Sequence, residues 1–325
     1  MARTPIIALV WAPHEARTES FAQWLEAPLY NIHYFQAKRP LIAPLKYIFQ
    51  WLKTWQVLLQ TRPRYVYVTN SPPVAGLCVM SYCLLTDTEF IMDTHPPGLF
   101  NRKWRWSRPI QRFTARFAKL NVVDQERFRQ LFESWGAEAI VLENPPKSIP
   151  FEQLELDTGA QDEFCYIGTF ADDEPVEILI EAARRLPDIK VYILGDKARA
   201  KQAWLDGAPE NIIFTGYLLK DEYWNRLYNA RAVIVLTEHA HSLLGGAQDG
   251  LYIDKPLIIS DQETLREHFV KGAVFIENTT QGMVDGIEQV RQNETILQEE
   301  IKALRQELAE RWQQNFGQLK AVVSD

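Results

Sequence analysis

The chain repeats one rhythm of hydrophobic and polar positions. A short uninterrupted apolar run is followed by a polar turn, then by a longer stretch whose apolar positions recur three and four residues apart. The first kind of run is the signature of a strand buried on both faces; the second is that of a helix packed across it. In the first half the apolar runs fall at 6–13 (IIALVWAP), 29–35, 65–70, 89–93, 120–124 and 139–144. Helical spacing occupies 41–60, the segment from Ser71-Pro72-Pro73 to residue 85, 104–119 and 125–135. The second half resumes with strands at 163–170, 189–196, 211–217, 232–236, 257–260 and 273–278, and helices at 174–185, 221–230 and 263–268. Residues 279–320, rich in Glu, Gln, Leu and Arg, predict one long surface helix or a pair. Strands alternating with helices specify α/β units with doubly wound parallel sheets. The rhythm breaks at 144–161, where Pro145, Pro146 and Pro150 precede an acidic polar segment, and a domain boundary is expected there.

Length and charge sharpen this picture. The 325 residues suffice for two domains of ordinary size, and no stretch approaches the ~20 apolar residues of a membrane-spanning helix. No cleavage-like signal follows Met1, so the cytoplasm is the expected setting. The net charge of −7 hides an asymmetry. Residues 1–150 carry 18 Lys+Arg against 11 Asp+Glu, whereas the remainder carries 17 against 31. Two units facing different partners are implied, and the whole chain does not have the profile of a nucleic-acid binder. Cys78, Cys83 and Cys165 lack CxxC spacing and read as buried thiols. His239 and His241 have no companion cluster, so no metal site is expected. No GxGxxG follows the first strand and no GxxxxGK[ST] occurs, which argues against dinucleotide oxidoreductases and P-loop enzymes.

The chemistry-bearing residues gather in loops that follow strands. After the run at 232–236 come Glu238, His239, His241 and Ser242, then Gly245-Gly246 opening a helix that Lys255-Pro256 closes. Glycines at a helix start let backbone N–H groups approach a phosphate oxygen. The same grammar also fits an ordinary βαβ crossover with close helix–strand packing. Asp93 and His95 end the strand at 89–93; they read as an imidazole with its orienting carboxylate, or as strand-end caps. His14, Glu15 and Arg17 occupy the first strand's exit loop, where Arg17 is either a phosphate ligand or a surface arginine. The basic–aromatic stretch 101–119 and the helix 41–60 suit either an anionic membrane interface or helices with aromatics in the core.

Three blocks in order carry a family resemblance: YILGD at 192–196, NIIFTGYLLKDEYWNRLYNARAVIVLTE at 211–238, and GLYIDKPLIISD at 250–261. Together they resemble glycosyltransferases of the GT-B fold, specifically glycosyltransferase family 4. The resemblance implies two Rossmann-like doubly wound domains facing a central cleft. Residues 1–147 would bind the acceptor, 148–162 would link, 163–293 would bind a nucleotide sugar, and the helix in 294–325 would cross back to the first domain. It further implies sugar transfer from a UDP- or GDP-sugar co-substrate to a glycan or polyprenyl-linked acceptor, with retention and no metal or other cofactor. Such an enzyme would serve surface polysaccharide or glycoconjugate synthesis at the inner membrane face. His95, Asp93 and His241 are the implied catalytic residues. Glu238, Ser242, Gly245, Gly246, Asp249, Lys197 and Thr169 are the candidate donor-binding residues, of which the resemblance itself points to Asp249 and Thr169. The family's Glu-x7-Glu pair falls on His241 and Asp249, and its diphosphate-binding arginine and lysine fall near Thr169 and Glu174. Neither of the last two carries positive charge, and WAPHEART replaces the glycine-rich first loop of many members. Those departures keep two alternatives in view: a degenerate, non-catalytic glycan-binding or partner subunit, and a GT-B epimerase or hydrolase.

Overall fold

A computed structural model describes residues 4–34, 43–94, 106–147, 149, 151–156, 162–240 and 243–324. The chain divides into two units, residues 1–145 with 310–325, and residues 146–309. The first holds a parallel sheet ordered β2-β1-β3-β4-β5-β6, built from β1 (Ile6–Val10), β2 (Leu29–Asn31), β3 (Tyr65–Thr69), β4 (Glu89–Asp93), β5 (Leu120–Val123) and β6 (Ala139–Val141). Its helices are α1 (Ala16–Trp24), α2 (Ala43–Thr61), α3 (Val74–Cys83), α4 (Arg108–Phe117) and α5 (Glu126–Ser134). Alternation along the strands splits the core in two. Ile7, Leu9, Val66, Val68, Phe90 and Met92 pack with Leu58 of α2, Val79 of α3, Ala115 of α4 and Phe132 of α5. Ile6, Ala8, Tyr65, Tyr67 and Ile91 point to the other face, where Phe21 of α1 meets them.

The second unit repeats the plan. Its sheet, ordered β12-β11-β10-β7-β8-β9, contains β7 (Glu163–Ile167), β8 (Lys190–Leu194), β9 (Ile212–Gly216), β10 (Ala232–Val235), β11 (Leu257–Ser260) and β12 (Ala273–Ile276). Its helices include α6 (Val176–Arg185), α7 (Gln202–Gly207), α8 (Lys220–Asn229), α9 (Gly245–Tyr252) and α10 (Glu263–His268). The hydrophobic pattern left α7 and the short 3-10 turn Lys197–Arg199 unassigned, since neither has enough apolar positions to mark a face. The strand expected at 29–35 is shorter: β2 stops at Asn31, and 32–34 are irregular.

The long helix α11 (Thr280–Ser324) is both of the forms expected for it, one continuous run with a kink at Asn293. The kink has a packing reason. Met283, Ile287 and Val290 join the core on one face of the second sheet, with Val176 and Leu179. Ile301 and Leu304 join the core on the opposite face, with Leu227 and Leu251. A helix that serves both faces must turn around the sheet edge. It passes β12 so closely that a Cβ on Gly272, whose φ is +68°, would lie 2.5 Å from the Ile301 nitrogen.

From Glu310 onward α11 belongs to the first unit. There Trp312 stacks on Phe316 at 4.7 Å between ring centroids and meets Trp24 edge-on at 4.8 Å. Its indole Nε1 donates to the Glu143 carbonyl at 3.1 Å. Trp312→Ala should therefore lower stability by about 3–5 kcal/mol, as removal of a large core aromatic does, measured by denaturant unfolding followed by circular dichroism.

Candidate functional site

Parallel strands send all their carboxyl ends to one edge, and a pocket opens where the strand order reverses because neighbouring loops part to opposite faces. In the second sheet that reversal lies between β7 and β10. The loop after β7, Gly168 to Pro175, is organised by one carboxylate. Glu174 accepts hydrogen bonds from the Thr169 amide (2.8 Å), the Thr169 hydroxyl (2.8 Å) and the Phe170 amide (2.8 Å). Phe170 takes a left-handed φ of +56° and buries its ring, which directs successive amides inward. A concavity of amides is an anion site by construction; here the anion is the protein's own. Thr169 and Glu174 thus bind each other at the positions where the family resemblance implied cations.

The loop after β10 is pinned from both sides. Thr237 donates its hydroxyl to Asp173 (2.7 Å), and the Glu238 amide donates to the Asp173 carbonyl (2.8 Å). The Thr237 amide donates to Ser260 Oγ (2.9 Å), which donates to Asn278 Oδ1 (2.7 Å). The Glu238 and His239 side chains remain exposed, with His239 Nε2 3.9 Å from Asp173 Oδ1. His241 and Ser242, the next candidates, lie outside the described residues. At the start of α9, Leu244 occupies the N-cap and has no side-chain oxygen to offer the first-turn amides. The two glycines there differ. Among the described residues a Cβ on Gly245 would meet nothing within 4 Å, whereas one on Gly246 would sit 2.9 Å from Ile167 Cβ. Gly246 lets α9 lie against β7, and Gly245 leaves the helix start open.

Asp249 faces inward from α9. Its Oδ2 accepts from the Tyr223 hydroxyl at 2.7 Å, and its Oδ1 is paired with Lys147 Nζ. Burial, reinforced by the Asp249 charge, pushes the Tyr223 phenol upward and keeps it a donor. Lys197 sits beyond the carboxyl end of β8 on an exposed turn, at the site's edge of the sheet. Lys255 precedes β11, at the opposite edge; burial lowers its pKa, and its Nζ lies 5.4 Å from the Tyr228 ring centroid. It is placed to support the fold rather than a ligand at the carboxyl ends. Among the described residues no group of His, Cys, Asp and Glu is arranged to hold a metal ion.

In the first sheet the order reverses between β1 and β3. Glu15 caps α1, accepting from the Thr18 amide at 2.6 Å, and Thr18 reaches Thr69 at the end of β3. Arg17 is buried. Its Nε donates to Asp93 Oδ2 at 3.1 Å and its Nη2 to Oδ1 at 3.1 Å. Nη1 donates to Asn144 Oδ1 at 3.2 Å, and Nη2 also donates to the Leu142 carbonyl at 2.6 Å. Burial is the largest single influence and would lower the Arg17 pKa, but the charge and hydrogen bonds of Asp93, with Tyr67 and Asp124, together outweigh it and the net shift is upward. Arg17 is thus neither the surface arginine nor the free phosphate ligand that its loop position suggested; its guanidinium ties the ends of β4 and β6 to α1. His14 is exposed, with Nδ1 3.5 Å from Glu19. His95 lies outside the described residues. Asp173, Tyr223 and Lys147 belong to these clusters and were not singled out by sequence. Each lies tens of residues from its partner, and no local motif marks it.

Two outcomes follow from these packings. Asp93→Asn should destabilise the protein by about 3–5 kcal/mol, because the Arg17 charge stays buried after its counter-charge is gone; denaturant melts measure it. Gly246→Ala should cost about 1–3 kcal/mol through overpacking, while Gly245→Ala should leave the melting temperature unchanged or slightly higher.

Comparison with known proteins bears on the fold and the family. No curated protein matches the sequence. Sucrose-phosphate synthase from Thermosynechococcus elongatus superposes with a TM-score of 0.69 at 10% identity, over 98% of this chain and 100% of that one. Anabaena HepE, solved in complex with UDP and glucose, gives 0.67 at 12% identity, over 98% and 99%. A glycosyltransferase from Rickettsia africae gives 0.67 at 12% identity over the whole of both chains. These likenesses establish the two-unit GT-B fold. The profile of a family described as "Glycosyl transferases group 1" matches residues 152–315, half of the chain, across both loops of the β7–β10 switch point. The chain therefore belongs to the group 1 glycosyltransferases.

Proposed function

We propose that this glycosyltransferase takes its sugar from a UDP-sugar bound at the β7–β10 switch point and passes it, with retention and without a metal, to a glycan or lipid-linked acceptor. The pathway would be assembly of a surface polysaccharide or glycoconjugate at the inner membrane face, and the subfamily would be family 4. The observation that carries the reading is the open start of α9. Among the described residues nothing crowds Gly245 and no side chain caps the first-turn amides, within the stretch the family profile covers. A helix start of that kind favours a diphosphate. HepE, alike in fold, is solved with UDP, which supports the choice of base.

In this reading the acceptor hydroxyl oxygen bonds to the anomeric carbon as the bond to the donor's phosphate oxygen breaks. Negative charge then grows on the leaving diphosphate, and its proton demand is met by the hydroxyl that attacks. Fixed amides at the helix start stabilise that charge without reorganising. Asp249 would hold a ribose or sugar hydroxyl, with Tyr223 and Lys147 fixing its orientation. Lys197, on the same edge of the sheet, would supply a cation that the β7 loop does not. His95, His241 and Ser242 retain the catalytic and donor-side roles that the family resemblance implies, with Glu238 and Thr169 at the same edge.

One specific observation favours a second reading, a non-catalytic partner subunit: the Glu174 carboxylate occupies the amides of the β7 loop. A ligand-binding melt separates the two. Under the glycosyl-transfer reading, UDP or a UDP-sugar raises stability by ~2.7 kcal/mol at a hundredfold excess over Kd. Gly245→Asp, which sets a carboxylate at the open helix start, abolishes that shift with little change in the unliganded melt. Indifference to UDP, GDP, ADP, CMP and their sugar conjugates would sink the donor reading.

A further inference from the structure

Helix α2 turns Val57 and Leu58 into the core together with two polar residues, and carries a second apolar stripe outward. Gln50 and Thr54 are fully buried: Gln50 Nε2 donates to the Ile32 carbonyl at 2.8 Å, and Thr54 Oγ1 accepts from Trp11 Nε1 at 2.9 Å. On the opposite side Leu45, Ile48, Leu52 and Leu59 form one helical stripe, 49%, 56%, 61% and 56% exposed, with Phe49 beside them. A helix that only covers a sheet needs its apolar residues on the inner side alone and would carry polar residues on the outer one. Trp51 and Trp55 lie along one flank of the stripe, and Lys46 and Lys53 along the other.

The apolar surface continues beyond α2. Helix α2 packs on α3, and α3 on α4. Just after α3, Leu85 is 74% exposed, and with Leu59 and Tyr82 it lines an 860 Å³ cavity whose rim includes Arg62. On α4, Phe113 and Phe117 are exposed with ring centroids 4.9 Å apart, in a row beside Arg108, Arg112 and Arg116. All three helices cover the same face of the first sheet.

We propose that this face of the first unit, the outward stripe of α2 with the exposed ends of α3 and α4, docks on an anionic lipid bilayer. Aliphatic side chains would enter the acyl boundary, aromatics would sit at headgroup level, and lysines and arginines would meet lipid phosphates. Charge complementarity selects the lipid over a second copy of the chain. An isologous dimer would bring the same cationic flanks together, which costs affinity, whereas anionic headgroups reward them. The proposal deepens the lipid-linked acceptor in the reading above, since it places the first unit where such an acceptor resides. It does not depend on donor binding.

Cosedimentation with vesicles tests it, using the full chain, low salt, and phosphatidylglycerol–phosphatidylcholine vesicles against pure phosphatidylcholine. The protein should pellet with the anionic vesicles and stay in solution with the neutral ones. Ile48→Glu/Leu52→Glu, both at exposed positions, should reduce binding at least roughly tenfold through lost apolar insertion. Lys46→Gln and Lys53→Gln should each reduce it by roughly fivefold and flatten its salt dependence. Circular dichroism melts and the UDP shift should be unchanged in all of these variants, which separates a lost surface from a lost fold or donor site. Two results would overturn the proposal: wild-type protein that ignores anionic vesicles, or a dimer in sedimentation equilibrium that Leu52→Glu dissolves while vesicle binding is absent. Failure on vesicles with an intact UDP shift would remove the docking face alone.

Discussion

A parallel sheet cannot leave a face in water, because every crossover returns the chain over one face or the other and buries it. That constraint produces the alternation of strand and helix in both units, and it also produces the sites. All twelve strands run parallel to their neighbours, so within each sheet the exit loops collect at one edge. Where the order reverses, between β1 and β3 and between β7 and β10, those loops separate. The residues with chemistry to offer sit in these openings for a topological reason before any question of catalysis arises.

What fills the two openings differs in electrostatic character. In the first unit a buried cation, Arg17, neutralises Asp93 and ties three loop ends together, so its charge is used for architecture. In the second unit a carboxylate, Glu174, occupies the amides of the β7 loop and stiffens it without a cation. The two loops are therefore internally satisfied, each by a charge of opposite sign. Little in either is left for a ligand, and the weight of ligand binding shifts toward the start of α9, where Leu244 has nothing with which to cap and Gly245 has open space. Asp249 is similarly prearranged: with Tyr223 on one oxygen and Lys147 on the other, its rotamer is held before a ligand arrives.

The order of strands and helices was legible in the sequence because it is written in local periodicity. Runs such as YVYVT and AVIV, short, apolar and rich in β-branched residues, read as buried strands once polar turns bound them. The six-residue helix Gln202–Gly207 went unseen, having too few apolar positions to mark a face, whereas the equally short helix at 263–268 was legible. The kink at Asn293 was equally hidden, since it answers to the position of the sheet edge and not to a local breaker such as proline. At the site, strand-end positions marked Thr169, Glu238, Gly245 and Asp249 as loop or helix-start residues, but not their bonds. Sequence alone gave Arg17 two fates, phosphate ligand or surface charge, and burial against Asp93 supplied a third. Pairings such as Lys147 with Asp249 are set by tertiary geometry across a hundred residues of chain, and composition is silent about them.

Helix α2 shows how far local pattern and tertiary role can part. Its apolar spacing identified a helix correctly, yet the apolar stripe does not face the core. The interior side is carried by Val57 and Leu58 together with Gln50, whose Nε2 donates to the Ile32 carbonyl, and Thr54, which accepts from Trp11 and donates to the Gln50 carbonyl. Those directed bonds fix the rotation of α2 on the sheet as well as apolar contact does. The outer leucines then serve no internal packing purpose, and their exposure is a cost in water that folding of the unit does not repay. The flanking lysines give that stripe a cationic edge, and the exposed aromatics of this face are Phe49, Phe113 and Phe117, since Trp51 and Trp55 pack against the core. The charge asymmetry of the chain, basic in its first half and acidic in its second, follows from the same division: the unit carrying this face holds the positive charge, and the unit carrying the β7–β10 site does not.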